Sequence, residues 1–191
     1  MATTIAAGPT TRDQILGAAR GLIETRSYLG FSFQDLADQV GIRKASLYHH
    51  FPTKEALAVE VLRGAARDFK AWTVARPRSP QAALESFFRM YRNVMHAGEG
   101  VCPAGALAPG WDCIEDELRE AVRELRTAQI LWLTGVLGAL APGGSSGPPA
   151  SALAAQVFAT CQGALLSARM SGRVGDFDEA VQGLKESLQL H

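Results

Sequence analysis

From position 11 onward, apolar residues return at every third or fourth place. Ile15, Leu16, Ala19, Leu22 and Ile23 form the first such stripe, which predicts a helix from Thr11 to about Arg26 with Thr11 or Asp13 satisfying free amides in its first turn. Ser32 is placed to cap a second helix whose buried stripe is Phe33, Leu36, Ala37 and Val40, and Gly41 ends it. A third helix of about two turns starts near Lys44, exposing Lys44, Ser46, Tyr48 and His49 while Leu47 and Phe51 turn inward. Pro52-Thr53 breaks it, and Thr53 caps a longer helix that runs through Leu62 to about Trp72.

After Pro77-Arg78-Ser79-Pro80 the pattern changes. Ala83, Leu84, Phe87, Phe88, Met90, Tyr91, Val94 and Met95 predict an almost wholly apolar helix, which has to be buried on most sides. Residues 98–113, rich in Gly and Pro, predict a short helix with irregular flanks, and a long helix follows from Glu115 to about Ala141. Pro142 to Pro149 reads as a flexible connection. Two last helices, Ser151 to Ser171 and Phe177 to Leu190, carry apolar residues on more than one face. The expected fold is all-α with about nine helices, divided into a disordered leader (1–10), a helix-turn-helix unit with its linking fourth helix (11–75) and a second helical bundle (76–191). A chain of 191 residues buries a substantial core without help from disulfides.

Composition narrows the function. Few aromatics and no alternating Val, Ile and Thr runs argue against a sheet protein. The net charge is zero, and residues 1–63 carry seven Lys and Arg against six acids, so any nucleic-acid affinity depends on where the charges sit. Residues 1–10 have no basic start and no apolar core of a signal peptide, and the apolar stretch Ile130 to Ala141 falls short of the roughly 20 residues a membrane span needs, so a cytoplasmic chain without a membrane partner is expected. Cys102, Cys113 and Cys161 have neither zinc spacing nor close pairing and are expected as free thiols. No nucleotide loop, metal-ligand cluster or nucleophile triad is visible, so no enzyme activity, cofactor or metal is expected.

Several constraints meet in one place. Leu36, Ala37, Val40, Gly41, Ile42 and Leu47 supply the small residue at a helix crossing, the Gly in the turn and the apolar contacts that a helix-turn-helix needs. The short polar helix displayed on that scaffold fits a major groove, which admits one helix and carries a donor and acceptor code on its base edges. Arg43 and Lys44 are the candidate base readers. The run from Phe33 to Leu57, FQDLADQVGIRKASLYHHFPTKEAL, closely resembles the TetR/AcrR signature, and the resemblance covers Thr11 to about Leu62.

That resemblance implies a transcriptional regulator, most commonly a repressor, that grips double-stranded operator DNA as a homodimer and is released by a small molecule or by modification of a cysteine. It implies that Tyr48, His49 and Lys54 contact phosphates, that Arg43, Lys44 and Ser46 reach base edges, and that Ser32 adds a phosphate contact. His50 is expected to pack on the first helix. Ser27 departs from the family, which often has Gly before an aromatic there. The implied ligand pocket lies between helices of the second domain, with Phe87, Met90, Tyr91, Met95, Trp111, Trp132, Phe158 and Gln162 as candidates, although aromatic and Met residues at helical spacing equally describe plain core. Buried acids are scarce among them, which gives no indication of a cationic ligand. Val101 to Ala108 resembles a segment of a TetR subgroup in which a cysteine, here Cys102, opens the sixth helix; a small buried hydrophobe is the other reading. Dimerisation through the last two helices would draw on Val157, Ala164, Leu165, Ala168, Phe177, Val181, Leu184 and Leu188, unless part of that stripe is intramolecular core. The rival to a regulator is a helical interaction or architectural protein that keeps the helix-turn-helix without reading operator sequence.

Overall fold

The computed structural model describes residues 8–75, 79–95, 100–140 and 147–189. Residues 1–7 of the leader, Pro77-Arg78 and positions 142–146 of the flexible connection lie outside the described residues. Among those described, nine α-helices follow in order: α1 (Thr11–Arg26), α2 (Phe33–Val40), α3 (Lys44–His50), α4 (Lys54–Val74), α5 (Pro80–Val94), α6 (Pro103–Ala106), α7 (Asp116–Leu140), α8 (Ala150–Ser171) and α9 (Gly175–Ser187). Single 3-10 segments cover Tyr28–Gly30 and Ala108–Cys113.

Local chemistry sets the helix starts. The cap of α1 is Thr10, one residue before the expected Thr11. Its hydroxyl accepts from the Asp13 N–H while the Asp13 carboxylate accepts from the Thr10 N–H, a reciprocal box that satisfies two otherwise free amides. Ser32 and Asp35 repeat the box at α2. In both boxes the hydrogen bonds from the capping residue hold the carboxyl below its usual pKa. Gly41 ends α2 at φ +76°, in the left-handed region where a Cβ is penalised. Thr53 caps α4, and Ser79 with Pro80 starts α5.

Ser27 also adopts positive φ, at +64°, between α1 and the Tyr28–Gly30 turn. Its departure from the expected Gly is therefore a real backbone cost, offset by the Ser27 hydroxyl, which donates to the Ala106 carbonyl at 2.6 Å. Ser27→Ala keeps the strain and loses the bond, whereas Ser27→Gly loses the bond and relieves the strain. Chemical denaturation is expected to place Ser27→Ala about 1–2 kcal/mol below the parent and Ser27→Gly within about 1 kcal/mol of it; the reverse order would contradict this account.

Helices α1 to α3 close over Ile15, Ile23, Leu36, Leu47 and Phe51, all essentially inaccessible. Helix α4 then leaves this unit and packs along α7, which packs on α8, which packs on α9. The last two helices differ from expectation. Val157, Ala164, Leu165, Ala168, Phe177, Val181 and Leu184 are buried within the chain and Leu188 is half-buried against the same core, so the proposed dimer stripe is intramolecular core. The outward row of α8 is instead Ala152, Ala155, Ala159, Gly163, Leu166 and Met170, with Met170 82% exposed. Among the described residues α8 alone is long and apolar enough to cross a membrane by length and composition, with 22 residues and a mean hydropathy of 1.2 over an 18-residue stretch.

The end of α1 is where the second bundle grips the first. The Val101 N–H donates to the Glu24 carbonyl at 3.1 Å, and the Arg169 guanidinium of α8 donates to the carbonyls of Glu24 and Thr25. These donors satisfy carbonyls that the last turn of a helix leaves free.

Candidate nucleic-acid interface and sensor cavity

Helix α3 is held by Leu47, which is fully buried, and by the Tyr48 ring, which packs edge-on against Phe33 of α2 with centroids 5.2 Å apart. Tyr48 remains 52% exposed, so α2 fixes the ring while its hydroxyl stays on the outer face. Arg43 is the backbone cap of α3 and Lys44 its first residue; both are exposed, and neither is in an ion pair among the described residues. His49 lies exposed beside them, and Ser46 is half-buried. His50 is exposed, not packed on α1, because a short helix ending at residue 50 turns it away from the core that Leu47 and Phe51 enter.

Two expected phosphate contacts have other work in this structure. The Lys54 ammonium donates to the carbonyls of Tyr28 and Phe31 and sits over both rings, 4.5 and 4.2 Å from their centroids. Burial holds its pKa below the ordinary lysine value, and burial also pushes the Tyr28 hydroxyl up to about 12, helped by the carboxylates of Glu55 and Glu115. Lys54 thus staples the start of α4 to the turn after α1. Ser32 donates both its N–H and its hydroxyl to the Asp35 carboxylate at 2.7 Å, so a phosphate would have to displace an acid that repels it.

The cavity lies where α1 and α4 meet α5, α6 and α7. It measures about 200 Å³ and is walled by Ala65, Phe69, Trp72, Met90, Val94, Pro103 and Leu125, with Tyr91, Cys102 and Gln129 as its buried polar groups and Arg20 and Asp68 at its more exposed rim. Of the residues expected from sequence it brings together Met90, Tyr91 and Cys102. Phe87 and Trp132 belong to the aromatic cluster behind Phe69 and Trp72, with ring centroids 5.3–6.4 Å apart among these four. Met95 is buried without lining the cavity. Trp111 and Phe158 lie elsewhere, facing Arg123 and Arg126 at 5.7 and 5.6 Å.

Gln162 acts one step removed. Its amide donates to the Tyr91 hydroxyl at 3.3 Å, and that hydroxyl donates to the Gln129 carbonyl oxygen at 3.1 Å. Gly105 permits this relay, since a Cβ there would lie 2.5 Å from the Gln162 Oε1. The Cys102 sulfur is 4.0 Å from the Tyr91 hydroxyl, and burial pushes the Tyr91 pKa well up, with the thiols of Cys102 and Cys161 adding to the effect. Burial raises the Cys161 thiol as well. Cys102 does cap α6, but that helix has only four residues.

Sequence reasoning missed Gln129 and Arg20. Gln129 had a legible signal, because it falls in the inward row of α7 between Leu125 and Leu133, where an amide must find partners. Arg20 had none, since its role depends on α1 lying beside α4: it pairs with Glu24 at 2.9 Å and with Asp68 at 3.2 Å.

Comparison with known proteins gives a consistent picture. Residues 15–61 match the family model "Bacterial regulatory proteins, tetR family". The transcriptional repressor KstR2 of Mycolicibacterium smegmatis is 40% identical over 65 residues, which are 34% of this chain and 30% of that protein, so the match spans under a third of that relative's length. The transcriptional regulator LmrA of Bacillus subtilis is 29% identical over 120 residues, 60% of this chain and 64% of that protein. A crystal structure of a TetR-family transcriptional regulator from Agrobacterium tumefaciens superposes with a TM-score of 0.85 and 28% identity, covering 93% of this chain and 96% of that one.

Proposed function

Because the chain belongs to the TetR family of bacterial transcriptional regulators, we propose that it is a dimeric, ligand-responsive regulator of transcription in the cytoplasm, reading operator DNA with α3 and acting as a repressor. The observation that carries this reading is the α3 surface: Arg43 and Lys44 exposed at the start of a two-turn helix, neither in an ion pair among the described residues, with Tyr48 anchored beside them. Arginine or lysine at such a helix start can reach guanine edges, with Ser46 beside them, while Tyr48 and His49 fix register on phosphates.

Dimerisation follows from the same need. One α3 presents too few contacts for specific affinity, and two of them about 34–36 Å apart meet successive major grooves. The outward row of α8, small residues flanked by Leu166 and Met170, offers an apolar surface for a second copy, with the exposed edge of α9 alongside. Such a partner also accounts for the apolarity of α8 without a membrane.

Release would pass through α4. It supplies Ala65, Phe69 and Trp72 to the cavity and begins directly after α3, so a ligand that favours one setting of α4 changes the separation of the two recognition helices. Cys102 is buried facing this cavity, so an oxidant or electrophile would reach it by the ligand's route. Selection of random duplex DNA on the purified protein is the test. Enrichment of a palindrome with half-sites about one helical turn apart supports the regulator; uniform, salt-sensitive binding without enrichment favours an architectural protein.

A further inference from the structure

The inner cavity holds no unmatched charge. Its two ionised groups, Arg20 and Asp68, face each other at 3.2 Å on the more exposed rim, and Glu24 holds Arg20 from behind at 2.9 Å. Deeper in, the polar groups are neutral. The Tyr91 hydroxyl has one proton, for which Gln129 Oε1 at 3.1 Å is a nearer acceptor than the Cys102 sulfur at 4.0 Å, and its acceptor side takes Gln162 Nε2 at 3.3 Å. In this arrangement the Gln129 amide has its oxygen toward Tyr91 and its NH2 group free of any protein acceptor among the described residues. No buried side-chain nitrogen or oxygen there lacks a partner, so this nitrogen is not sealed in protein; Gln129 lines the cavity, and its NH2 opens onto it.

We infer that the cavity takes an uncharged, compact, largely apolar molecule of about one ring, carrying a carbonyl that accepts a hydrogen bond from Gln129 Nε2. The inference rests on reading the cavity as the effector site. Size sets the scale: about 200 Å³ is more than the roughly 150 Å³ that holds benzene and less than the roughly 300 Å³ at which drug-sized ligands begin. Charge sets the class. An anion would lose its water beside an arginine already matched by two carboxylates, and a cation would meet an aspartate already matched by Arg20. Phe69, Trp72, Met90 and Leu125 supply the apolar walls, and the Gln129 NH2, a far stronger donor than the Cys102 thiol beside it, selects the carbonyl.

Four single-ring probes of similar size decide it: acetophenone, ethylbenzene, benzoate and benzylammonium, titrated into the DNA-free full-length protein by calorimetry and by tryptophan fluorescence, since Trp72 lines the cavity. Acetophenone is expected to bind about 3- to 10-fold more tightly than ethylbenzene, with both ions weaker than ethylbenzene. Gln129→Leu, close in volume, is expected to erase the preference for the ketone, bringing the ratio of acetophenone to ethylbenzene affinity to about one whatever the change in either affinity alone. Equal binding of acetophenone and ethylbenzene, preference for either ion, or no binding by any probe overturns the inference. Operator selection on the same protein separates it from the regulator reading: a palindrome enriched without any probe binding sinks only the ligand class, and ketone-selective binding without a palindrome sinks only the regulator.

Discussion

Replacing both Arg43 and Lys44 by alanine is expected to lower the preference for the selected operator over scrambled duplex by about 1,000-fold or more. Each base contact is worth roughly 1–3 kcal/mol, two readers act in each half-site, and a dimer uses both half-sites, so the loss removes most of the margin between specific and non-specific binding. The fold is not at risk, because both side chains are exposed and make no ion pair among the described residues, while α3 is anchored by Leu47 and Tyr48. Tyr48→Phe provides the contrast, weakening operator and scrambled DNA by the same factor, because a phosphate contact carries no sequence information. Mobility shifts across a salt series tell the roles apart. Should the double variant keep its operator preference and only flatten the salt dependence, Arg43 and Lys44 are phosphate contacts and the readers lie elsewhere on α3.

If two copies pair across α8 as proposed, Gly163→Arg is expected to leave monomers and with that to remove operator binding. The position lies in the middle of the outward row of α8, is exposed, and a Cβ there meets nothing within 4 Å, so a side chain can leave the helix there without displacing its neighbours. It also replaces a helix-interior glycine, which favours the helix by up to about 1 kcal/mol. Across a twofold interface the same arginine meets its copy in an apolar surface, and an unpaired buried charge costs roughly 3–5 kcal/mol, or about 140- to 4,000-fold in dimer dissociation. Sedimentation at micromolar concentration would reveal monomers with parental thermal stability of each subunit's helices. A variant that remains dimeric would move the interface off this face of α8.

The DNA-reading unit was legible in the sequence because its determinants are local. A stripe at helical period, a Ser or Thr before a helix, a Gly after one and the run from Phe33 to Leu57 each act within a few residues, and the structure places α2, α3 and α4 within one or two residues of those expectations. The intrachain partners of Lys54 and Ser32 were not legible in the sequence, and for a common reason. A charged or polar side chain can serve DNA or its own chain, and only tertiary structure sets the Tyr28 and Phe31 carbonyls beside Lys54, while the Ser32 hydroxyl takes the Asp35 carboxylate. Ser27 is the opposite case, a departure visible in the sequence whose cost appears only as a positive φ with a compensating bond to Ala106.

What the sequence determined by itself, then, is where helices begin and end and which short helix is displayed, because hydrogen-bond capping and a 3.6-residue period are read from neighbours along the chain. Which faces meet was decided by tertiary structure alone. Helix α8 is apolar nearly all round, so periodicity could not choose between Val157, Cys161 and Leu165, which enter the core, and Ala159, Gly163 and Leu166, which face out. The cavity is the same problem in three dimensions: Arg20, Phe69 and Gln129 come from α1, α4 and α7, and they share a wall only because α4 lies along α7 with α1 beside it. A helix fixes the direction of its side chains but not what lies opposite them, which depends on burying apolar surface contributed by segments far apart in the chain.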